Sequence, residues 1–360
     1  MPSETQPHGE VETFHRERAR NRLAEVTGSR WNDTTRLPFA QALHMYFDAL
    51  PINWGAFTTD RQILAIVPSI YGALSYATFA STGQFPMDSN LDTPEKCRDA
   101  LIGKATQPEF KVMLGELPVT FQTGRALPVS YIVRHLFRED PEIPRVYVDL
   151  GAGPGYMGPV LQNPELLKQY YSRSTSNLYD LYCHPSQLPI HCGINVDRLP
   201  KDEAILRSLV YGDDKKRLNI NTFYANLDED KFPHVITDLN QAEDSISKIT
   251  TALKRKGRKH ADVVIRSFVD YQVGGSQVLD GMTLALLADG GYCIRLGDEL
   301  PDDMGNLRSA VSVFQKKNVD ELEFIGMPFE ITDDGTVTRT FMDFFRVPSV
   351  GRRDLYMEVT

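Results

Sequence analysis

Apolar and polar residues alternate along residues 145–150, RVYVDL, and this period of two predicts a short β-strand. A glycine-rich turn follows the strand, with glycine at every second position: Gly151, Gly153 and Gly155. Glycine adopts backbone conformations that other residues rarely adopt, so this turn can bend tightly and approach a ligand closely. The next residues, MGPVLQ, can start a helix, because proline is tolerated in the first turn of a helix. We therefore predict a strand, a turn and a helix start whose backbone N–H groups point outward.

Strand-like and helix-like segments alternate after this turn, which is typical of an α/β protein with a doubly wound parallel sheet. The second strand is predicted at residues 189–196. Two segments could supply the third strand, 219–227 and 234–239, and we favour 234–239 because a helix with early acidic and late basic residues follows it. The remaining predicted strands, the last two of them antiparallel, lie within 261–272, 292–300, 320–331 and 352–359.

Residues 1–128 are predicted to form a mainly helical extension to this sheet domain, which spans residues 129–360. In residues 11–26, apolar positions recur at helical spacing among charged ones, which indicates an amphipathic helix docked on the protein. A solvated RNA-binding arm is the alternative for this helix. Residues 63–80 carry no charge, but Pro68 and several small polar residues favour two buried helices, broken near this proline, over a membrane span.

Composition indicates a soluble globular protein, with 41% hydrophobic and 24% charged residues among 360. The net charge of −9 gives no general attraction to nucleic acid, so we expect no DNA partner and look for RNA contacts only in local basic patches. Four scattered cysteines without a secretory signal favour a reducing, cytoplasmic compartment. Two of them lie in CHPSQLPIHC, residues 183–192, whose spacing matches no standard zinc pattern, and we expect no metal site.

Asp149 stands two positions before the first glycine of the turn, in V-D-L-G. A carboxylate here would repel a pyrophosphate, whereas it could hold the cationic methionine end of S-adenosylmethionine. The sequence V-D-L-G-A-G-P-G resembles motif I of class I S-adenosylmethionine-dependent methyltransferases, which implies a Rossmann-like sheet of seven strands. Two alternatives stay open: a dinucleotide site, because Gly153, Gly155 and Gly158 fit the G-x-G-x-x-G pattern, and a purely structural glycine turn.

The resemblance implies S-adenosylmethionine as cofactor and assigns its contacts to the carboxyl ends of the first three strands. The predicted cofactor-binding residues in the first strand and its turn are Asp149, Gly151, Ala152, Gly153 and Gly155. Asp197, at the end of the second strand, would accept hydrogen bonds from the ribose hydroxyls. Asp238, after the third strand, would accept one from the adenine amino group, and a plain helix N-cap is the alternative for this residue.

Among these enzymes the chain is most similar to the RrmJ/FtsJ-like RNA ribose 2′-O-methyltransferases, a group that includes viral cap-modifying enzymes. The similarity lies in D-L-G-A-G-P-G and in G-I-N-V-D-R-L-P. That group uses a Lys-Asp-Lys-Glu set, from which this chain departs, since Ser267 stands where the aspartate is expected and Arg134 is the only cation in the preceding helix. Arginine cannot act as a general base at neutral pH, but it can stabilise an alkoxide. We predict a rebuilt catalytic set of Arg295, Asp270 and Asp354.

Two basic clusters could contact RNA phosphates: Lys254, Arg255, Lys256, Arg258 and Lys259 in the first, and Arg352 and Arg353 in the second. For the first cluster, a solvated helix C-terminus is the alternative. The sequence thus predicts a methyltransferase acting on RNA, with the ribose of an mRNA cap as a candidate acceptor and a viral protein as a candidate source. A catalytically degenerate cofactor- or RNA-binding module and a small-molecule or protein methyltransferase are the alternatives.

Overall fold

The computed structural model describes most of the chain. The residues that it describes are 8–28, 37–86, 90–115, 123–153, 155, 157–162, 175, 190–197, 208, 228–267, 269, 273, 276–301, 307–332 and 336–346. The chain divides into two compact units, Met1–Phe121 with Lys201–Thr222, and Gln122–Pro200 with Phe223–Thr360.

All the regular elements found among the described residues of the first unit are helices. Its helices are α1 (His8–Gly28), α2 (Leu37–Met45), α3 (Asp60–Leu64), α4 (Ile66–Thr82), α5 (Pro94–Lys104) and α6 (Pro108–Met113), with a 3₁₀ turn at Trp54–Ala56. Helix α5 begins where the Thr93 hydroxyl accepts a hydrogen bond from the Lys96 amide, as an N-cap residue does. The mainly helical N-terminal region predicted from the sequence is therefore confirmed.

Helix α1 packs on its neighbours through one apolar face. The buried residues of that face follow helical spacing: Ala19, Leu23 and Val26. On its polar side, Arg16 and Arg20 both form ion pairs with Asp48. The docked amphipathic helix predicted for this segment is confirmed, and its arginines are engaged by neighbouring carboxylates of the same unit.

The uncharged segment at residues 63–80 is shared between α3 and α4. The two helices are separated at Ala65, so Pro68 falls in the first turn of α4, where its missing N–H costs no helical hydrogen bond. Helix α4 ends at Gly83, which adopts a left-handed conformation with φ of 71°. The predicted break into two helices is confirmed and α4 is mostly buried, but α3 is not the buried helix that was predicted, because its Asp60 and Leu64 are exposed. Across the described part of the chain, no helix is both long enough and apolar enough to cross a membrane.

The second unit is an eight-stranded sheet flanked by helices. Its elements are α7 (Ala126–Leu136), β1 (Arg145–Leu150), α8 (Met157–Gln162), β2 (Ile190–Asp197), β3 (His234–Ile236), α9 (Ala242–Arg255), β4 (Ala261–Ser267), α10 (Ser276–Leu286), β5 (Leu287–Pro301), β6 (Leu307–Asn318), β7 (Glu321–Ile331), β8 (Val337–Thr340) and α11 (Met342–Arg346).

The strands follow the order β3-β2-β1-β4-β5-β6-β7-β8. The pairs from β3 to β5 are parallel, and the remaining pairs are antiparallel. The order reverses between β1 and β4, which is the switch point of a doubly wound Rossmann-like sheet. The predicted α/β fold is confirmed, and the third strand is found in the favoured segment, 234–239. The other candidate for that strand, 219–227, lies outside the described residues.

Helices cover both faces of the parallel part of the sheet. On one face, the apolar residues that alternate along β1, Val146, Val148 and Leu150, share a hydrophobic cluster with α9 and α10. On the other face, Tyr147 lies in register with Tyr292 of β5, whose ring packs 5.7 Å from the ring of Phe137 at the end of α7. Asp149 alternates with the clustered residues and therefore projects to this second face.

Among the described residues the sheet has eight strands, where seven were predicted for the whole chain. Strands β6 and β8 were not expected, whereas the last predicted strand, 352–359, lies outside the described residues. Within β6, Ala310 to Val313 are all buried, so both faces of the strand are covered there. A strand that is buried on both faces has no alternating pattern, so period-two analysis does not detect it.

The junction between α10 and β5 has no loop, because the helix ends at Leu286 and the strand begins at Leu287. The carbonyl groups of this last helical turn need donors from elsewhere. Lys316 of β6 supplies them, since its Nζ donates to the carbonyl oxygens of Leu284 and Leu287, each at 2.9 Å. The side chain of Lys316 is almost completely buried and also lies 3.3 Å from a carboxylate oxygen of Asp289.

We expect Lys316→Met to destabilise the protein by about 2–3 kcal/mol, because it removes charge-assisted hydrogen bonds and leaves buried carbonyl groups without donors. Urea unfolding followed by circular dichroism measures the change. The matched control is Lys317→Met, since the neighbouring Lys317 is half-exposed and pairs with Glu323 at the surface. Equal stabilities of the two variants would contradict this role of Lys316.

Candidate functional site

The candidate site lies at the carboxyl edge of the parallel strands, beside the switch point between β1 and β4. Ligands of doubly wound sheets bind at this edge. Two carboxylates and a hydroxyl lie there on the face covered by α7: Asp149 near the end of β1, Asp197 at the end of β2 and Ser267 at the end of β4. The structure thus brings together two of the predicted cofactor-binding residues and the serine that replaces the expected aspartate.

The turn after β1 has the backbone predicted for it. Gly151, Gly153 and Gly155 have φ values of 76°, 56° and 78°, which other residues rarely adopt. A Cβ atom at Gly151 would lie 2.8 Å from the side chain of Val269, and one at Gly155 would lie 2.7 Å from Nδ2 of Asn195. Glycine is therefore required at both positions by conformation and by space.

The amides of this turn do not point outward as predicted. The N–H groups of Gly151 and Ala152 both donate to the Val196 carbonyl at 2.9 Å. The Gly155 N–H donates to the Ala152 carbonyl at 3.0 Å, and the Gly153 N–H donates to Oδ2 of Asp197 at 2.8 Å. The prediction of outward-facing donors is wrong for these four residues, because the end of β2 accepts from three of the amides and the turn's own Ala152 carbonyl accepts from the fourth.

Asp149 is the most unusual group of the site. Its side chain is buried, with 2% of the residue exposed, and its Oδ1 has no hydrogen-bond partner among the described residues. Burial raises the pKa of this carboxyl well above its usual range, the Asp197 carboxylate raises it further, and Arg125 acts in the opposite direction. An ionised carboxylate in this position is costly unless a positive group pairs with it.

Asn195 holds the turn against the sheet, and sequence reasoning missed it. Its Oδ1 accepts a hydrogen bond from the Tyr147 hydroxyl at 3.2 Å. Its Nδ2 lies 3.4 Å from the Gly155 carbonyl oxygen and 3.5 Å from that of Phe232. The available signal was its position two residues before Asp197, since residues two apart in a strand project to the same face.

Asp238 follows β3 and is exposed. Its Oδ1 accepts hydrogen bonds from the backbone N–H and from Nδ2 of Asn240, both at 3.0 Å. Helix α9 has Gln241 at its N-cap, so Asp238 stabilises the turn before the helix rather than capping the helix itself. The contact between Asp238 and the adenine amino group stays a prediction.

The predicted catalytic residues are not gathered around Asp149 by the described part of the structure. Arg295 pairs in register with Arg266, which pairs with Leu150, so all three project to the face opposite Asp149. The guanidinium of Arg295 lies 5.2 Å from the centre of the Phe314 ring. Asp270 and Asp354 lie outside the described residues, and their catalytic roles stay predictions.

The first basic cluster lies at the other end of the sheet. Lys254 and Arg255 form the last turn of α9, which ends before Gly257 with φ of 72°. Nη2 of Arg258 donates to the carbonyl of Pro144 at 2.8 Å, directly before β1 begins. This cluster is therefore about one strand length, roughly 20 Å, from the carboxyl edge. Arg352 and Arg353 of the second cluster lie outside the described residues.

The segment considered for zinc does not converge on a metal position in its described part. His191 is exposed, whereas the adjacent Cys192 is buried in the hydrophobic cluster on the opposite face of β2. Cys183 and His184 lie outside the described residues. Within the described ranges, no three His, Cys, Asp or Glu side chains lie together where they could hold a metal ion.

Comparison with known proteins gives only distant structural similarity. No protein-family model matches the sequence, and no curated protein matches it significantly. The similar solved structures include a chain of the Haloferax volcanii complex with the Trm112 methyltransferase activator (14% identity, TM-score 0.22), the rRNA methyltransferase AviRa from Streptomyces viridochromogenes (14%, 0.31) and an O-methyltransferase family 2 protein from Planctomyces limnophilus (13%, 0.25).

The matched regions cover 48%, 54% and 85% of this chain and 56%, 85% and 81% of those three chains, respectively. The chain thus spans little more than half the length of the Haloferax volcanii chain. Similarity at these TM-scores does not assign a function to the chain.

We expect Asp149→Asn to stabilise the protein at pH 7.5 by about 1–3 kcal/mol, because it removes a buried charge. The pKa of Asp149 is raised in the folded protein. As the pH rises above the unfolded pKa of about 4, ionisation of this carboxyl therefore lowers the free energy of unfolding by an increasing amount. Below that pH both states are protonated, and the difference between wild type and variant should vanish. Urea unfolding between pH 4 and 8 tests this, with the exposed Asp343→Asn as control. A variant less stable than wild type at every pH would refute the interpretation.

Proposed function

We propose that the chain is an S-adenosylmethionine-dependent methyltransferase that binds its cofactor at the carboxyl edge of the sheet. The observation that carries the proposal is the buried Asp149 carboxylate, whose Oδ1 has no described partner, beside a glycine turn at the switch point. A cationic ligand would offset the cost of this buried charge. The resemblance of V-D-L-G-A-G-P-G to motif I supports the same cofactor.

The hydrogen bonds of the turn argue against the dinucleotide alternative. A pyrophosphate needs backbone donors and avoids carboxylates. Here the amides of Gly151, Ala152, Gly153 and Gly155 are engaged by protein oxygens. Two carboxylates also lie at this edge, close enough that Asp197 raises the pKa of Asp149. Both features favour a positive ligand over a negative one.

The residues present suit the parts of this cofactor. Asp149 would pair with its cationic amino-acid end, and Asp197, whose Oδ2 accepts a hydrogen bond from the Gly153 amide, would accept hydrogen bonds from the ribose hydroxyls. Asp238 would accept from the adenine amino group. The cofactor supplies an electrophilic methyl group when bound. The protein's part is to orient it and to exclude water from the buried end of the site.

Calorimetric titration with S-adenosylmethionine tests cofactor binding. We expect Asp149→Asn to weaken binding at least tenfold, because the charge pair is lost. Since the pKa of Asp149 is raised, a cation that pairs with it should displace a proton. Titrations in buffers of different ionisation enthalpy should therefore show proton release in wild type and not in Asp149→Asn. Binding of NAD instead of S-adenosylmethionine would support the dinucleotide alternative, and binding of neither would exclude this cofactor site.

As acceptor we propose RNA, through a ribose 2′-hydroxyl, with the mRNA cap as the first substrate to test. The similarity of D-L-G-A-G-P-G and G-I-N-V-D-R-L-P to the RrmJ/FtsJ-like enzymes supports this acceptor. The basic cluster at the end of α9 could neutralise phosphates of an RNA that extends along the sheet. The net charge of −9 confines such contacts to local patches.

Transfer of a tritiated methyl group to capped, uncapped and already 2′-O-methylated RNA measures the acceptor. We expect Lys254→Glu with Lys256→Glu to weaken RNA binding and lower its salt dependence without changing cofactor affinity. Asp270→Ala and Asp354→Ala should reduce methyl transfer while cofactor affinity stays unchanged. Arg295→Ala tests whether this cation, on the face opposite Asp149, takes part in methyl transfer. Cofactor binding without transfer to any of the RNAs would favour a binding module or another acceptor.

A further inference from the structure

A chain of buried polar groups lies directly beside Asp149, on the same face of the sheet. Asn195 of β2 pairs in register with Asp149, and Tyr147 precedes Asp149 by two residues on β1. Both side chains are removed from water, since 1% of Asn195 and none of Tyr147 is exposed. Buried polar groups find their partners within the protein, so the partners of these two side chains show which parts of the chain they hold.

The Tyr147 hydroxyl connects β2 with the helix that follows the glycine turn. It donates a hydrogen bond to Oδ1 of Asn195 at 3.2 Å. It also accepts a hydrogen bond from the backbone N–H of Gly158, the second residue of α8. The N–H groups in the first turn of a helix have no partner within the helix, and a nearby side chain usually caps them. Here a buried tyrosine of the preceding strand does so.

Asn195 holds the other side of the same turn. Its Nδ2 donates to the carbonyl oxygens of Gly155 and Phe232, at 3.4 and 3.5 Å respectively. The Tyr147 hydroxyl needs an acceptor and the two carbonyl groups need donors, so one orientation of the Asn195 amide satisfies all of them. The polar chain therefore begins at the N–H of Gly158 and ends at the carbonyl of Gly155.

Close packing around Tyr147 requires glycine on both sides of its ring. A Cβ atom at Gly158 would lie 2.6 Å from the Tyr147 hydroxyl oxygen, and one at Gly193 would overlap the Tyr147 ring. Gly193 is the register partner of Tyr147 on β2, so the ring leans over the neighbouring strand. Gly158 is the last glycine of the G-x-G-x-x-G pattern, and its role here is to let α8 approach Tyr147.

We propose that Tyr147 and Asn195 act together as a clamp that holds Gly155 and Gly158 in the arrangement that binds the cofactor. The proposal rests on the proposed function and deepens it, because it adds two positioning residues that act through the turn and do not touch the ligand themselves. The clamp grips backbone groups of the turn, so its effect on affinity should be the same for every ligand that binds there.

Titration calorimetry of the full chain with S-adenosylmethionine and S-adenosylhomocysteine measures the effect of the clamp on binding. We expect Tyr147→Phe and Asn195→Ala each to weaken both ligands by about tenfold, because only part of the protein then holds the binding arrangement at any time. If the two residues act as one clamp, the double variant should bind about as weakly as either single variant. Independent effects would instead multiply to about a hundredfold loss.

Hydrogen exchange of the Gly155 amide, followed by NMR, measures the clamp without a ligand. This amide donates to the Ala152 carbonyl, and that acceptor is present in every variant. We expect its protection in the free protein to fall about tenfold in Tyr147→Phe, because the turn opens more often. Saturating S-adenosylmethionine should restore most of the protection, since the ligand selects the closed turn. Unchanged protection, or a loss that the ligand does not restore, would overturn the clamp.

Lys316→Met is the matched control, because it removes buried hydrogen bonds of the same unit at the end of α10, on the opposite face of the sheet. Its affinity for both ligands and its Gly155 exchange should equal those of wild type. Losses in this control as large as those in Tyr147→Phe, or multiplied losses in the double variant, would overturn the clamp while leaving the proposed cofactor intact. A wild type that binds neither ligand would reject the proposed function itself, on which the exchange in the free protein does not depend.

Discussion

A carboxylate held out of water beside a second carboxylate is the constraint on which the candidate site depends. The sheet imposes it, because the register of β1 with β2 and β4 places Asp149, Asp197 and Ser267 on one face at one edge. Packing against α9 and α10 fixes which face that is, since Val146, Val148 and Leu150 must be buried on the other. The chemistry of the site therefore follows from the alternation of apolar residues along a six-residue strand.

Part of this arrangement could be predicted from the sequence, and the reasons are local. The strand, the glycine turn and the third strand were predictable because alternation and turn residues act over a few positions. Residues at the carboxyl ends of parallel strands were predictable as neighbours, since such ends share one edge of the sheet. The docking of α1 was likewise predictable, because its apolar spacing is that of a helix with one buried face.

The rest depended on contacts between distant parts of the chain. Three of the four described amides of the glycine turn are engaged because the end of β2 extends alongside them, which the turn sequence does not indicate. Lys316 supplies donors to a helix end about thirty residues away in the sequence, and a buried lysine looks like any surface lysine in a one-dimensional pattern. Arg295 lies on the face opposite Asp149 because a register is fixed by the whole sheet, and a shift of one residue would move it to the other face.

The glycine turn has a further consequence for how a ligand would enter. Its four described amides are satisfied by carbonyl and carboxylate oxygens of the protein itself, and Asn195 ties the turn to the sheet. The turn is therefore rigid for reasons that do not involve a ligand. A binding loop that is ordered in advance loses little conformational entropy when it is occupied. Selectivity at such a turn comes from shape and charge already in place, and a molecule that does not match them cannot gain affinity by remodelling the loop.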